Sequence, residues 1–88
     1  MSISDIIIDY LNSIHYRWEA TITPYGGTFY FHNDRATAEK VLDHLKDTGY
    51  YDKLSGSESS KLMRDEYHPG EINGLRPGEY NYYIYWRN

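Results

Sequence analysis

Histidine and carboxylate side chains are the residues of this sequence that could carry out acid–base chemistry. The segment His32-Asn33-Asp34 follows a run of β-favouring residues and precedes a helical pattern, which makes His32 the best candidate for a general base. A structural role explains the segment better, because Asn33 or Asp34 is expected to cap the following helix. We therefore predict a non-enzymatic protein with no catalytic residue.

Metal centres and activated nucleophiles need groupings of residues that this sequence does not supply. It contains no cysteine, which excludes disulfides, thiolate ligands and a cysteine nucleophile. His44 is a helix-spaced neighbour of Lys40 and Asp47, but lysine is not a ligand and no His-x-x-x-His pattern occurs. The Gly26-Gly27 pair lies in a turn signal and opens no helix, so no phosphate-binding loop is expected. We predict neither a metal nor a cofactor.

Aromatic residues are the other informative class, and they are concentrated at residues 78–88. This stretch is rich in β-favouring residues, contains no proline and follows Pro77, so it is predicted to form a strand. Alternation gives the strand an apolar face of even-numbered residues and an odd-numbered face that carries Tyr83, Tyr85 and Arg87. Since one face is sufficient to close a core, the other is available for binding.

Two amphipathic helices are predicted from apolar residues at helical spacing. The first carries Ile3, Ile6, Ile7, Tyr10, Leu11 and Ile14, after a serine cap at Ser2 or Ser4. The second carries Ala38, Val41, Leu42 and Leu45, and Gly49 follows it at the position of a left-handed C-terminal cap.

A β-hairpin is predicted around the turn residues Pro24-Tyr25-Gly26-Gly27, where apolar and polar residues alternate on both sides. With Thr23 opposite Thr28, Ile22 would face Phe29, and Trp18, Ala20, Ile22, Phe29 and Phe31 would enter the core. After Gly49 the pattern weakens. Residues 50–54 favour a short strand or packed loop, and residues 55–60 a polar linker. Residues 61–67 favour an extended segment that would pair with the C-terminal strand, with a single helical turn as the alternative. Residues 68–78 are expected to form an ordered excursion with an Asn73-Gly74 turn.

The order α-β-β-α-(β)-β predicts a single α+β domain over residues 1–88. We expect two amphipathic helices on one face of a small, mainly antiparallel sheet of three or four strands. If the second helix is a crossover, the last strand would lie parallel to the second strand and beside the first. An exposed edge on the last strand would also permit pairing with a second copy, so a homodimer is one alternative.

Charge and hydropathy limit the partners of this domain. The net charge of −4 argues against general nucleic-acid binding and is compatible with a basic partner or with simple solubility. No stretch approaches the length of a membrane span, and the first residues lack the basic character of a signal peptide. We predict a cytoplasmic protein that does not contact a membrane.

The candidate partner-binding surface consists of the outward aromatic and cationic residues of the predicted sheet. They are Arg17, Tyr30, His32, Tyr83, Tyr85 and Arg87. Tyrosine and arginine are enriched at the energetic centres of protein interfaces, which favours a partner protein. The same face could stack the bases of a single-stranded nucleic acid, and a homodimerising structural protein is a further alternative.

Small size, acidity and the lack of catalytic motifs are similar to the general properties of inhibitors that phages and mobile elements encode against host defence enzymes. The similarity is one of type and involves no shared motif. It implies an inhibitor or adaptor, of anti-defence or immunity type, that occludes a partner protein. One such partner is a protein whose basic surface normally binds nucleic acid.

Overall fold

The computed structural model describes residues 2–69 and 74–87 and consists of two α-helices and a four-stranded antiparallel sheet. The elements are α1 (Ile3–Ser13), β1 (Glu19–Thr23), β2 (Gly26–His32), α2 (Arg35–Thr48), β3 (Leu62–Glu66) and β4 (Tyr80–Arg87). Two single 3₁₀ turns, Tyr51–Lys53 and Glu58–Ser60, connect α2 to β3. This architecture confirms the predicted α+β class. Asn73 of the predicted Asn73-Gly74 turn lies outside the described residues.

Local sequence signals set the ends of both helices. Ser2 caps α1, and its hydroxyl accepts a hydrogen bond from the Asp5 backbone N–H at 3.2 Å in a reciprocal capping box. Asp34 caps α2 by accepting the Thr37 backbone N–H at 3.1 Å. Gly49 ends α2 with a φ of 82°, as expected for a left-handed cap. Ile14, the last residue of the predicted apolar stripe, is instead the C-cap of α1 and is 41% exposed.

The strand order β1-β2-β4-β3 corrects the predicted position of the last strand. β4 lies beside β2, not β1, and is antiparallel both to β2 and to β3. Because β2 and β3 are each antiparallel to β4, they are parallel to one another, and α2 is the crossover between them. The weakly patterned segment before β4 supplies the parallel strand that the crossover requires. β4 is consequently central, so it offers no edge to a second copy.

The β1–β2 hairpin is also displaced by two residues from the predicted register. Thr23 pairs with Gly26, Thr21 with Thr28, and Ala20 with Phe29, leaving Pro24 and Tyr25 as a two-residue loop. The two glycines are strand residues because the neighbouring strands leave no room for side chains there. A Cβ on Gly27 would lie 2.7 Å from Cη2 of Trp86, and a Cβ on Gly26, which has a φ of 148°, would overlap the backbone carbonyl oxygen of Trp86 in β4.

The predicted pairing of Ile22 with Phe29 is therefore wrong. Ile22 faces Gly27 instead, and 47% of its surface remains exposed. The remaining predicted core residues of the hairpin are buried or half-buried. Trp18 and Ala20 pack against the cluster around Phe29.

The hydrophobic core is one cluster to which both helices and the sheet contribute. Phe29 and Phe31 of β2 alternate onto the same sheet face as Ile84 and Trp86 of β4. The helical members of this cluster are Ile3, Ile6, Ile7, Leu11, Ala38, Val41 and Leu45. Leu54 joins it beside Trp86. Among the described residues, neither helix is long and apolar enough to cross a membrane.

Candidate protein-binding surface

Two tyrosines from neighbouring strands are in contact on the sheet face that points away from the core. The β2–β4 register places Tyr30 opposite Tyr83, and their ring centroids are 6.5 Å apart. Tyr30 is 36% exposed, whereas Tyr83 is half-buried. Burial raises the pKa of the Tyr83 hydroxyl, and the charge of Asp65 and the nearby Tyr30 raise it further. The Tyr83 hydroxyl therefore stays protonated at neutral pH and can donate a hydrogen bond.

Tyr85 and Arg87 continue this row along β4. The Arg87 Nε donates a hydrogen bond of 2.7 Å to the Tyr85 hydroxyl oxygen, which holds the guanidinium beside the ring. Tyr85 is half-buried opposite Thr28, while Arg87 is exposed at the end of the strand. The remaining guanidinium N–H groups can form a bidentate contact with a carboxylate. We refer to Tyr30, Tyr83, Tyr85 and Arg87 as the tyrosine–arginine row.

An open groove of about 480 Å³ lies against one end of the row. It is lined by Thr21, Thr23, Tyr25, Gly26, Gly27, Thr28, Tyr30, Tyr85, Trp86 and Arg87. Gly26 pairs with Arg87 on this face, and the β4 backbone fills the position that a Cβ on Gly26 would occupy, so no side chain separates the two strands beside the guanidinium. Tyr25 in the hairpin loop is 84% exposed and forms the rim. The groove therefore combines hydroxyl groups, aromatic rings and one cation.

His32 marks the opposite end of the same face. It pairs with Asn81, and its Nε2 lies 3.9 Å from Oε2 of Glu79. The Asn81 Oδ1 is buried and has no hydrogen-bond partner in the described part of the chain. Arg17 precedes β1 and has no partner in the β1–β2 ladder, so the sheet does not fix its side chain on this face. The structure thus brings together five of the six predicted residues.

Several residues of this face were absent from the predicted set. Met63 of β3 lies opposite Tyr83 and is 40% exposed, and Asp65 lies opposite Asn81. The extended form of residues 61–67 was expected to pair with the last strand, as β3 does with β4, but its side chains were not assigned to a face of the sheet. Thr28 of β2, opposite Tyr85, and Tyr25 of the hairpin loop also line the groove.

The residues considered for catalysis and metal binding are dispersed. His32 is on an exposed end of the sheet, while Asp34 is engaged as a helix cap. Within residues 2–69 and 74–87, no three His, Asp or Glu side chains are grouped so as to hold a metal ion. The non-enzymatic character of the protein stays a prediction from its sequence.

Comparisons with known proteins give no relative for this chain. No protein-family model matches it, and neither a curated protein nor a solved structure is significantly similar to it.

Proposed function

We propose that this chain is a non-enzymatic protein-binding module that contacts a partner protein through the tyrosine–arginine row. The observation that carries the proposal is the contact between Tyr30 and Tyr83 beside the hydrogen-bonded Tyr85–Arg87 pair. All four residues are on the sheet face opposite the Phe29–Trp86 layer of the core. By covering a surface of its partner, the module acts as an inhibitor or adaptor.

The chemistry of the row suits a protein interface. A tyrosine ring buries a large apolar area at a low cost in conformational entropy, and its hydroxyl can still donate a hydrogen bond. Tyr83 and Tyr85 are held on a central strand that is paired on both sides, so they are ordered before binding. The adjoining groove of about 480 Å³ provides space for a side chain of the partner next to the Arg87 guanidinium.

The distribution of charge favours a protein over a nucleic acid. Glu19 pairs with Tyr30, and Asp65 raises the pKa of Tyr83, so carboxylates flank the aromatic centre from both neighbouring strands. These charges and the net charge of −4 repel the phosphates that nucleic-acid binding must neutralise. They are complementary to a basic protein surface, including one that itself binds nucleic acid.

A paired substitution tests the proposed interface. A tagged wild-type chain is used to capture its partner from a lysate of the organism that encodes it, and the affinity for the purified partner is then measured calorimetrically. Replacing Tyr83 and Tyr85 together by alanine is expected to weaken binding at least ~10-fold, because each ring occupies the central strand of the face. The matched control is the double variant Lys40→Ala and Asp43→Ala on the exposed surface of α2, which should bind as the wild type does.

The proposal is wrong if the Tyr83→Ala/Tyr85→Ala variant folds normally and keeps the wild-type affinity. Circular dichroism and the unfolding midpoint provide the check on folding. Fluorescence anisotropy with labelled single-stranded oligonucleotides, measured over a salt series, tests the alternative. If an oligonucleotide binds at low salt, if this binding weakens steeply with added salt, and if it disappears in the same double variant, the partner is a nucleic acid and not a protein.

A further inference from the structure

β1 is an edge strand whose outer side is open. It pairs only with β2, and that outer side makes no hydrogen bond to any residue within 2–69 or 74–87. The Thr21 carbonyl oxygen faces β2, since it lies 2.6 Å from the position that a Cβ on Gly27 would occupy. Alternate residues of an antiparallel strand direct their backbone groups to opposite sides. Ala20 and Ile22 therefore direct their N–H and C=O groups outward.

The two edges of the sheet differ in how they are protected. β3, at the other edge, ends in the charged residues Arg64, Asp65 and Glu66, which is a common way of preventing strands from pairing. β1 contains no proline and no lysine, and its only charged residue is Glu19. It also exposes 47% of Ile22 beside the open backbone groups. The unprotected edge is thus β1.

β1 is complementary to itself when two copies are antiparallel. Centring the pair on Thr21 is the one register in which all residues of both strands overlap. Thr21 then faces Thr21 of the second copy, Ala20 faces its Ile22, and Glu19 faces its Thr23. A small and a large apolar residue meet, β-branched residues meet at the centre, and the two glutamates stay apart. Pairing β3 with a second copy of itself in the same centred, antiparallel way would place Arg64 against Arg64, so β3 is not complementary to itself.

We propose that two copies of this chain associate through β1 about a twofold axis at Thr21, joining two four-stranded sheets into one continuous sheet. The pairs of Ala20 with Ile22 exchange about four backbone hydrogen bonds across the axis. The interface is small, so the dimer forms in a concentration-dependent manner. Because the axis is perpendicular to the sheet, the tyrosine–arginine rows of both copies lie on the same side and present two equivalent surfaces.

Charge substitution at the twofold axis tests this arrangement. Thr21 is exposed, so Thr21→Lys and Thr21→Glu can be made without disturbing the core. Sedimentation equilibrium from micromolar to millimolar concentrations should show a wild-type dimer. For either variant alone, the dissociation constant of the dimer should be at least ~10-fold larger, since like charges meet at the axis. An equal mixture of the two variants should recover dimers that contain one copy of each, because opposite charges then meet.

Met63→Lys is the matched control. It introduces the same charge at an exposed position of the same sheet face, but on the opposite edge strand, and should leave the dimer intact. Circular dichroism establishes that each variant is folded. A wild-type chain that is monomeric at all concentrations overturns the proposal. A Thr21→Lys variant that dimerises as well as the wild type, or a mixture that does not recover dimers, also overturns it. The purified chain is studied without a partner, so these outcomes are independent of the proposed partner-binding function.

Discussion

At the residue scale, Asp34 joins the start of α2 to the segment that precedes β1. Its carboxylate caps the helix through Thr37 and also interacts with the Tyr16 hydroxyl. Burial and the charge of Asp34 raise the pKa of Tyr16 to about 12. Burial alone would raise the pKa of Asp34, but the hydrogen bonds from Thr37 and Tyr16 outweigh it and lower that pKa below 3.8. The ionised carboxylate is therefore stabilised in the folded state.

We expect Asp34→Ala to lower the free energy of unfolding at pH 7 by about 1 kcal/mol, because the helix cap is lost. The folded-state pKa of Asp34 lies below its unfolded value, so its contribution is fully present above the unfolded pKa. It is lost as the pH falls from about 4 through the folded-state pKa. Urea unfolding at neutral pH and in a series of acidic buffers measures both effects. The variant should lose less stability than the wild type over the acidic range.

Asp9→Ala is the control for this prediction, because Asp9 is exposed in the middle of α1 and caps no helix. It should keep close to wild-type stability at pH 7. An Asp34→Ala variant that is as stable as the wild type at neutral pH, with an unchanged acidic slope, would contradict the capping role.

At the element scale, a pair of glycines determines the register of the first hairpin. Gly26 and Gly27 resemble turn residues in the sequence but are the first residues of β2. Gly27 leaves room for the Trp86 ring, which packs on Phe29 with ring centroids 5.5 Å apart. A Cβ on Gly27 would also lie 2.6 Å from the Thr21 carbonyl oxygen of β1, so only glycine fits between the two neighbouring strands at this position. The hairpin therefore closes through Pro24 and Tyr25, and Ile22 lies next to this turn, opposite Gly27.

The two registers differ in the stability expected of hairpin variants. In the structure Ile22 is 47% exposed, so Ile22→Ala should cost about 1 kcal/mol or less. Phe29 is fully buried, and Phe29→Ala should cost about 3–5 kcal/mol because it removes a large ring from a packed core. Denaturant unfolding curves for both variants measure the difference. Equal losses would instead support the register in which Ile22 faces Phe29.

At the scale of the whole molecule, a single core binds both helices to the sheet. Leu11 of α1 and Val41 of α2 are fully buried in the same cluster as Ile84 of β4. A chain of this length has no second cluster of comparable size among its described residues, so the helices and the sheet depend on each other. We expect one cooperative unfolding transition.

Leu11→Ala is expected to lower the free energy of unfolding by about 2–5 kcal/mol, because it leaves a cavity in this shared core. Ile14→Ala, only a few residues further on, is the matched control and should cost much less because Ile14 is 41% exposed. Far-ultraviolet circular dichroism reports the helices, and tryptophan fluorescence reports Trp86 in the sheet together with Trp18, which precedes β1. Both signals should change at the same denaturant concentration in wild type and variants. Separate midpoints would show that α1 unfolds independently.

The sequence by itself determined the features that depend on neighbours along the chain. The apolar spacing of α1 and α2, a cap at Ser2 or Ser4 and another at Asn33 or Asp34, and the left-handed Gly49 follow from interactions within a few residues. The two faces of β4 follow from strict alternation, which does not depend on where the strand lies in the sheet. For this reason Tyr83, Tyr85 and Arg87 could be assigned to one face before any partner strand was known.

Only the tertiary structure decided what lies beside that face. The centre of the sheet is occupied by β4 because β3, whose pattern is weak, forms a complete strand on its far side. In the hairpin, Gly27 lies between the Thr21 carbonyl group and the Trp86 ring, and Trp86 is distant from it in sequence, so this contact exists only after folding. Contacts of this kind reflect packing between segments, and no local pattern encodes them. Because of these contacts, Tyr30 lies against Tyr83, the groove forms beside Arg87, and the open edge of the sheet is β1 and not the last strand.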